Sequence, residues 1–258
     1  MRTICALAGV VIKELYRRKD FYVLFVITII ICLVMGSMNV FNDNEIVRYI
    51  KDIALLLIWI SSLVIAITAT ARQIPAEKEN RTLLPLLAKP LTRTQLILGK
   101  FFGCWAVCGL MLVCFYLFFG LLSATREHQW PLLHYLQAAS LHWVMLGVVI
   151  SFTLLGSLVF AAPSSTSTIC FVVAAGILLV GRYLDRIALS LSEPWRSIVY
   201  AIYYAMPHLE FFDMRNLIIH DWPLVEWKYI GLAVLYGFAY IVVFLAAACL
   251  AFRRKPVN

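Results

Sequence analysis

The chain has 258 residues, of which 63% are hydrophobic and 14% are charged, and its formal net charge is +8. A soluble domain contains roughly 45–50% apolar and about 25% charged residues, so this composition excludes a soluble globular enzyme. The shortage of charged residues also excludes a disordered chain. A bilayer crossing takes about 20 apolar residues. We therefore expect an all-α, polytopic membrane protein with a single domain over residues 1–258 and no separate soluble domain.

Residues 3–19 are expected to form an amphipathic helix that lies in the membrane interface. Apolar side chains recur there every three or four positions, at Ile4, Leu7, Val11 and Leu15. Six apolar runs follow, and each is expected to cross the membrane as a helix. These predicted transmembrane helices are 21–40, 53–71, 101–122, 138–161, 164–181 and 229–252.

The segment 182–228 joins the last two predicted transmembrane helices. It contains two semi-apolar stretches, 198–206 and 211–219, separated by Pro207. Each is too short to cross a bilayer. We therefore expect short re-entrant or interfacial helices in this outer segment.

The distribution of charge predicts the orientation. If both termini lie in the cytoplasm, the inner segments carry 14 basic and four acidic residues. The outer segments then carry eight basic and ten acidic residues. Positive charge favours the cytoplasmic side. The expected location is the inner (plasma) membrane, crossed several times, with membrane lipid around the chain and no role for nucleic acid.

One inner connection, residues 72–100, has an unusual composition, and we call it the basic loop. It contains an apolar run, 83–88, that is too short to insert into a bilayer. The run is expected to dock as a helix in a groove of a partner protein. The alternative is an interfacial helix that lies on anionic lipid headgroups.

The basic loop resembles the corresponding loop of ABC type-2 transporter permeases. The matching positions are Glu77, Thr82, Leu83, Leu86, Leu87, Lys89, Pro90, Thr92, Arg93, Gly99 and Lys100. Two positions depart from the pattern, because Arg81 replaces the usual Gly and Pro85 lies inside the expected docking helix. A second segment, 206–216, is similar to the Pro-x-Leu-x-x-Phe-Asp-x-x-Asn pattern of the branch named for permeases of multi-copper enzyme maturation.

This resemblance implies the permease subunit of an ATP-driven exporter, with two permease copies as a homodimer and two cytosolic ABC ATPase subunits. The ATPase-coupling residues would be Glu77, Thr82, Leu83, Leu86, Leu87, Lys89, Pro90 and Arg93. An outer gate would be formed by Tyr203, Pro207, Phe211, Phe212, Asp213 and Asn216. An extracytoplasmic accessory protein is a further expected partner.

We expect no catalytic residue and no cofactor in this chain, with ATP and Mg²⁺ held by the ATPase. Gly99-Lys100 has no glycine five residues before it, so the phosphate-binding loop pattern is absent. His142 is expected to hydrogen-bond between helices. Cys104 and Cys108 could offer soft metal ligands, but packing is the favoured interpretation, and no metal site is predicted.

Tryptophans near the predicted outer boundary are typical of an aromatic belt. They are Trp130, Trp143, Trp195, Trp222 and Trp227.

A function of another class also fits the sequence, namely a membrane anchor or scaffold that recruits a cytosolic protein without transport.

Overall fold

The computed structural model describes residues 2–17, 19–37, 44–79, 92–127, 131–160 and 162–254. All regular elements in these ranges are helices. The α-helices are α1 (Arg2–Tyr16), α2 (Lys19–Ser37), α3 (Asn44–Ala71), α4 (Pro75–Glu79), α5 (Arg93–Glu127), α6 (Leu132–Val159), α7 (Pro163–Ser190), α8 (Trp195–Ala205), α9 (Arg215–Ile219) and α10 (Trp227–Arg254). A 3-10 helix, Leu209–Phe212, lies between α8 and α9.

Four stretches of the described chain are helical, long and apolar enough to cross a membrane. They are Lys51–Glu77, Arg93–Ala124, Leu132–Val159 and Trp227–Arg254. An all-helical, polytopic membrane protein is thereby confirmed. The first predicted transmembrane helix coincides in part with α2, and the fifth coincides in part with α7. The apolar stretch of α7, Pro163–Leu179, is shorter than the four stretches above. The count of six stays a prediction.

Helix α6 lies at the centre of the bundle. It packs against α3, α5, α7 and α10, and 78% of the residues in its most apolar 18-residue stretch are buried. His142 of α6 is hydrogen-bonded to Ser62 of α3, with 2.8 Å between Nε2 and Oγ. The predicted helix-to-helix role of His142 is therefore confirmed. Such a bond satisfies a buried polar side chain and fixes one helix against the other.

Helix α5 begins at Arg93 rather than at residue 101, where the apolar run starts. The reason is a reciprocal cap. The Gln95 backbone N–H donates to Thr92 Oγ1 at 3.2 Å, and the Thr92 backbone N–H donates to Gln95 Oε1 at 3.1 Å. This capping box satisfies two amide groups that a helix start leaves without partners. The polar end of the basic loop is thus already part of α5.

Helix α1 packs lengthwise against the first turns of α5. Its buried side chains are Val11 and Leu15, at the positions where the apolar periodicity of the sequence puts one face. Two glycines of α5, Gly99 and Gly103, make this contact close. An added Cβ would lie 2.6 Å from the Leu7 Cβ at Gly99 and 2.6 Å from the Val11 Cβ at Gly103. Glycine spacing of this kind allows two helix backbones to approach each other.

The outer segment differs in detail from its expected form. Helix α7 continues to Ser190, beyond the predicted end at residue 181. Most of the stretch 198–206 lies in α8, which ends at Ala205 and has no buried residue. The stretch 211–219 is divided at Asp213 and Met214, because the Asp213 carboxylate accepts the Arg215 backbone N–H at 3.3 Å and interrupts the helical pattern.

Candidate functional site

The two ends of the basic loop meet at Gln73, Glu77 and Lys100. We call these three residues, together with Arg93 earlier on α5, the loop base. Residues 80–91 between these ends lie outside the described chain. Glu77 lies on α4 and Lys100 on α5, so the loop base connects the helices on either side of the loop.

An ion pair is the centre of the loop base. Lys100 Nζ lies 2.6 Å from Glu77 Oε1, and it donates to Gln73 Oε1 at 3.0 Å. The Lys100 side chain is 4% exposed and that of Glu77 is 17% exposed. A buried ammonium loses its water, so this pair persists only because the carboxylate and the amide oxygen replace that hydration.

Arg93 connects the loop base to the end of α10. Its Nη1 donates to the backbone carbonyl oxygens of Phe252 at 2.7 Å and Arg253 at 3.1 Å. The guanidinium carbon also lies 5.4 Å from the centre of the Phe252 ring. A cation at a helix C-terminus stabilises the last carbonyls and the negative end of the helix dipole. Arg93 thereby joins the start of α5 to the end of α10.

Two of the predicted coupling residues, Glu77 and Arg93, lie within the described chain, and both belong to the loop base. Their partners differ. Glu77 forms the ion pair with Lys100, whereas Arg93 caps the end of α10. The other predicted coupling residues lie outside the described residues, namely Thr82, Leu83, Leu86, Leu87, Lys89 and Pro90. Sequence reasoning matched Lys100 to a family position but missed its role, and it missed Gln73 entirely.

At the opposite end of the bundle, the outer segment packs onto α6 and α10. Pro207 and Phe212 are buried, whereas Phe211 is 53% exposed and Asn216 is exposed. The Phe212 ring lies against Gly237 of α10, where an added Cβ would come within 3.0 Å of the ring. The ring centres of Tyr203 and His208 are 4.4 Å apart. The predicted gate residues are therefore divided between a buried contact and an exposed surface.

Asp213 holds the outer segment in place through Arg215. Two hydrogen bonds of 2.8 Å join the Arg215 guanidinium to the Asp213 carboxylate. These bonds raise the pKa of Arg215 above its ordinary value, so the guanidinium stays charged. Its carbon lies 5.2 Å from the centre of the Trp59 ring of α3. This cation–π contact anchors α9 on α3.

A second ionic contact lies beside it. Lys51 of α3, which is almost fully buried, places Nζ 3.4 Å from Asp221 Oδ1 and 3.5 Å from the Ile218 carbonyl oxygen. Asp221 has a left-handed backbone with φ of 48°. The turn after α9 is therefore tied to α3 near its first turns.

An apolar cavity of about 250 Å³ lies between the outer segment and the bundle. Its walls come from α6, α7, α10 and the turn after α8, and they include Phe152, Ile177, Met206 and Phe244.

Among the described residues, no group of three or more His, Cys, Asp or Glu side chains could hold a metal ion. Cys104 and Cys108 are buried in the helix packing.

A family model described as ABC-2 family transporter protein matches residues 10–257, which is nearly the whole chain. The chain belongs to the ABC-2 transporter family. This ABC-2 protein is a membrane component, a permease subunit of an ABC transporter, and such components are not themselves catalytic. No curated protein matches the chain. Within the permease, the loop base and the outer segment lie at opposite ends of the helices.

Proposed function

We propose that this permease receives ATP-driven movement from a separate ABC ATPase through the basic loop and delivers it to the outer segment for export of a substrate. The observation that carries the proposal is the loop base. A buried ion pair joins the two ends of the loop, so a displacement that reaches Glu77 of α4 also reaches Lys100 of α5. Arg93 extends the same displacement to α10.

The apolar run 83–88 supplies the docking surface in this proposal. Leu83, Leu86 and Leu87 are the anchor in a cleft of the ATPase, and Thr82, Lys89 and Pro90 bound the anchor. A few buried apolar side chains supply most of the binding energy at such contacts, whereas charges at the rim steer association. ATP and Mg²⁺ are then bound by the ATPase, and this chain holds no cofactor.

The assembly we propose contains two permease copies as a homodimer and two ATPases in the inner (plasma) membrane. Both termini lie in the cytoplasm, and residues 3–19 lie in the interface. Six transmembrane helices agree with an even number of crossings between two termini on one side. The basic side chains at the loop base and at the end of α10 support this orientation, because positive charge favours the cytoplasmic side.

The outer gate of the proposal is the segment that holds Tyr203, Pro207, Phe211, Phe212, Asp213 and Asn216. Its contacts with α6 and α10 support the role, since movement of these helices alters the seat of Phe212. The exposed helix α8 offers a surface to an extracytoplasmic accessory protein. The Pro-x-Leu-x-x-Phe-Asp-x-x-Asn similarity places the chain, in this proposal, in the copper-maturation branch.

Leu86→Asp tests the proposal. The permease is expressed together with a candidate ABC ATPase from the same genome, and the complex is purified through the permease. We expect Leu86→Asp to abolish co-purification of the ATPase, because a carboxylate in an apolar cleft loses its hydration. Leu224→Asp, the same change at a 40% exposed leucine of the outer segment, is the matched control and leaves the complex intact.

Equal recovery of the ATPase with both variants would refute the coupling role of the basic loop. A complex whose ATPase rate equals that of the isolated ATPase would instead indicate the scaffold, which recruits a cytosolic protein without transport.

A further inference from the structure

Two tryptophans in adjacent helices form a reciprocal contact. Trp105 Nε1 of α5 donates to the Trp143 carbonyl oxygen of α6 at 2.9 Å. Trp143 Nε1 donates to the Trp105 carbonyl oxygen at 3.1 Å. The two indole rings are stacked, with centres 4.4 Å apart and planes inclined by 16°. Each tryptophan is therefore both donor and acceptor to the other.

Two glycines make this arrangement possible. Gly109 follows Trp105 by four residues in α5, and Gly147 follows Trp143 by four residues in α6. In an α-helix, the side chain of residue i+4 leans over the carbonyl of residue i. Glycine at i+4 therefore leaves that carbonyl open to a second donor. An added Cβ at Gly109 would lie 2.5 Å from Trp143 Nε1, and one at Gly147 would lie 2.9 Å from Trp105 Nε1.

The same five-residue pattern occurs on both helices, Trp-x-x-x-Gly at 105–109 and at 143–147. A third copy, Trp227 and Gly231 in α10, has a different setting. Trp227 is 59% exposed, and nothing lies within 4 Å of a Cβ added at Gly231. The motif alone therefore does not create the contact, which requires two copies that face each other.

Trp143 was expected in the aromatic belt at the outer boundary. The structure instead places it well inside α6, against a tryptophan in the first half of α5. The Phe238 ring of α10 packs against the Trp105 ring in a T-shaped arrangement, with ring centres 6.0 Å apart and planes inclined by 84°. The pair thus lies where α5, α6 and α10 meet.

We infer that Trp105, Trp143, Gly109 and Gly147 form a clasp that locks the axial register of α5 against α6, so that the two helices move as one rigid body. Sliding by one turn would break both hydrogen bonds and both glycine contacts together. Trp105 and Trp143 are positioning residues in this inference. Its relevance to transport rests on the proposed function, since α5 begins at the loop base.

The first test measures the clasp without any ATPase, by thermal unfolding of the purified permease in detergent. Alanine in place of a helical glycine normally favours the helix. We expect Gly109→Ala to lower the unfolding midpoint, because the Cβ would meet the Trp143 ring. In a Trp143→Ala background, where that ring is gone, Gly109→Ala is expected to raise the midpoint. Gly231→Ala, in the third copy of the motif, is the control and raises the midpoint in both backgrounds.

A Gly109→Ala permease that is more stable than the parent, as with Gly231→Ala, would overturn the clasp.

The second test uses the permease–ATPase complex. Trp143→Phe keeps an aromatic ring but removes the N–H that donates to the Trp105 carbonyl oxygen. Loss of one hydrogen bond changes an equilibrium constant by about fivefold. We expect ATPase binding to be retained and stimulation of the ATPase rate by the permease to fall.

Unchanged stimulation with Trp143→Phe would overturn the role of the clasp in transmission. If the parent permease binds no ATPase, the proposed function fails, whereas the sign change of Gly109→Ala still decides whether the clasp exists.

Discussion

Lys100 shows how a single buried side chain can join two helices. Its ammonium group has two oxygen partners, from Glu77 and Gln73, in an apolar environment. Such a pair adds little net stability compared with apolar residues, but loss of one member leaves a charge that has no counter-ion. The pair is better explained by the position it fixes than by its contribution to folding.

Glu77→Gln is expected to lower the stability of the permease. The substitution removes the counter-charge of Lys100 and should reduce the free energy of unfolding by about 1–3 kcal/mol, because Glu77 is not fully buried. The measurement is the thermal unfolding midpoint in detergent. The double variant Glu77→Gln with Lys100→Gln should recover part of the loss, because no unpaired charge is left.

Glu79→Gln is the matched control for that prediction, since Glu79 is exposed and lies two residues further along the chain. Equal midpoints for Glu77→Gln and Glu79→Gln would show that the ion pair makes no contribution in the folded protein.

Among the elements, α1 and α5 form the closest helix pair near the loop base. Their approach depends on Gly99 and Gly103, which leave room for the Leu7 and Val11 side chains. Because α1 lies along the first turns of α5, any displacement of the loop base is shared with α1. In the proposed function, the N-terminal helix α1 therefore belongs to the coupling region.

Gly103→Ala should loosen α1. The new Cβ would lie 2.6 Å from the Val11 Cβ and 3.1 Å from the Ala8 carbonyl oxygen, so one helix must move. Overpacking of this kind costs about 1–3 kcal/mol. Hydrogen–deuterium exchange of residues 2–16 is expected to accelerate. Gly9→Ala is the control, because nothing lies within 4 Å of a Cβ added there, and it should leave exchange unchanged.

The elements also show what the sequence could predict. The apolar runs predicted helices correctly because hydropathy is a local property of the chain, and His142 was recognised because one ionisable side chain in an apolar run needs a partner. The start of α5 at Arg93 was predictable in principle from the Thr92-x-x-Gln95 capping pattern. The Trp105–Trp143 contact was not, since it depends on the register between two helices.

The candidate site was predictable to a smaller extent. Family resemblance selected Glu77, Arg93 and Lys100 as positions, but the bonds that they form depend on tertiary structure. The backbone of Phe252, which accepts from Arg93, carries no sequence signal at all. The break at Asp213 is a local effect, because an aspartate two residues before an arginine can bond both its backbone and its side chain.

At the scale of the whole molecule, a continuous set of contacts joins the loop base to the outer segment. Arg93 and Lys100 lie on α5, α5 is clasped to α6, and α6 and α10 together seat Phe212. The outer segment is fixed to α3 as well, through Arg215 on Trp59 and Lys51 near Asp221. A shift of α5 and α6 relative to α3 has to break the buried His142–Ser62 bond, and it changes the packing of the outer segment.

The most direct test of this account measures the outer segment while ATP binds on the other side of the membrane. The measurement is hydrogen–deuterium exchange of residues 195–219 in the permease–ATPase complex, with and without a non-hydrolysable ATP analogue. The account predicts that the analogue changes exchange in this segment for the parent permease and that a mixture of the ATPase with Leu86→Asp permease shows no change. Identical exchange with and without the analogue in the parent complex would contradict it.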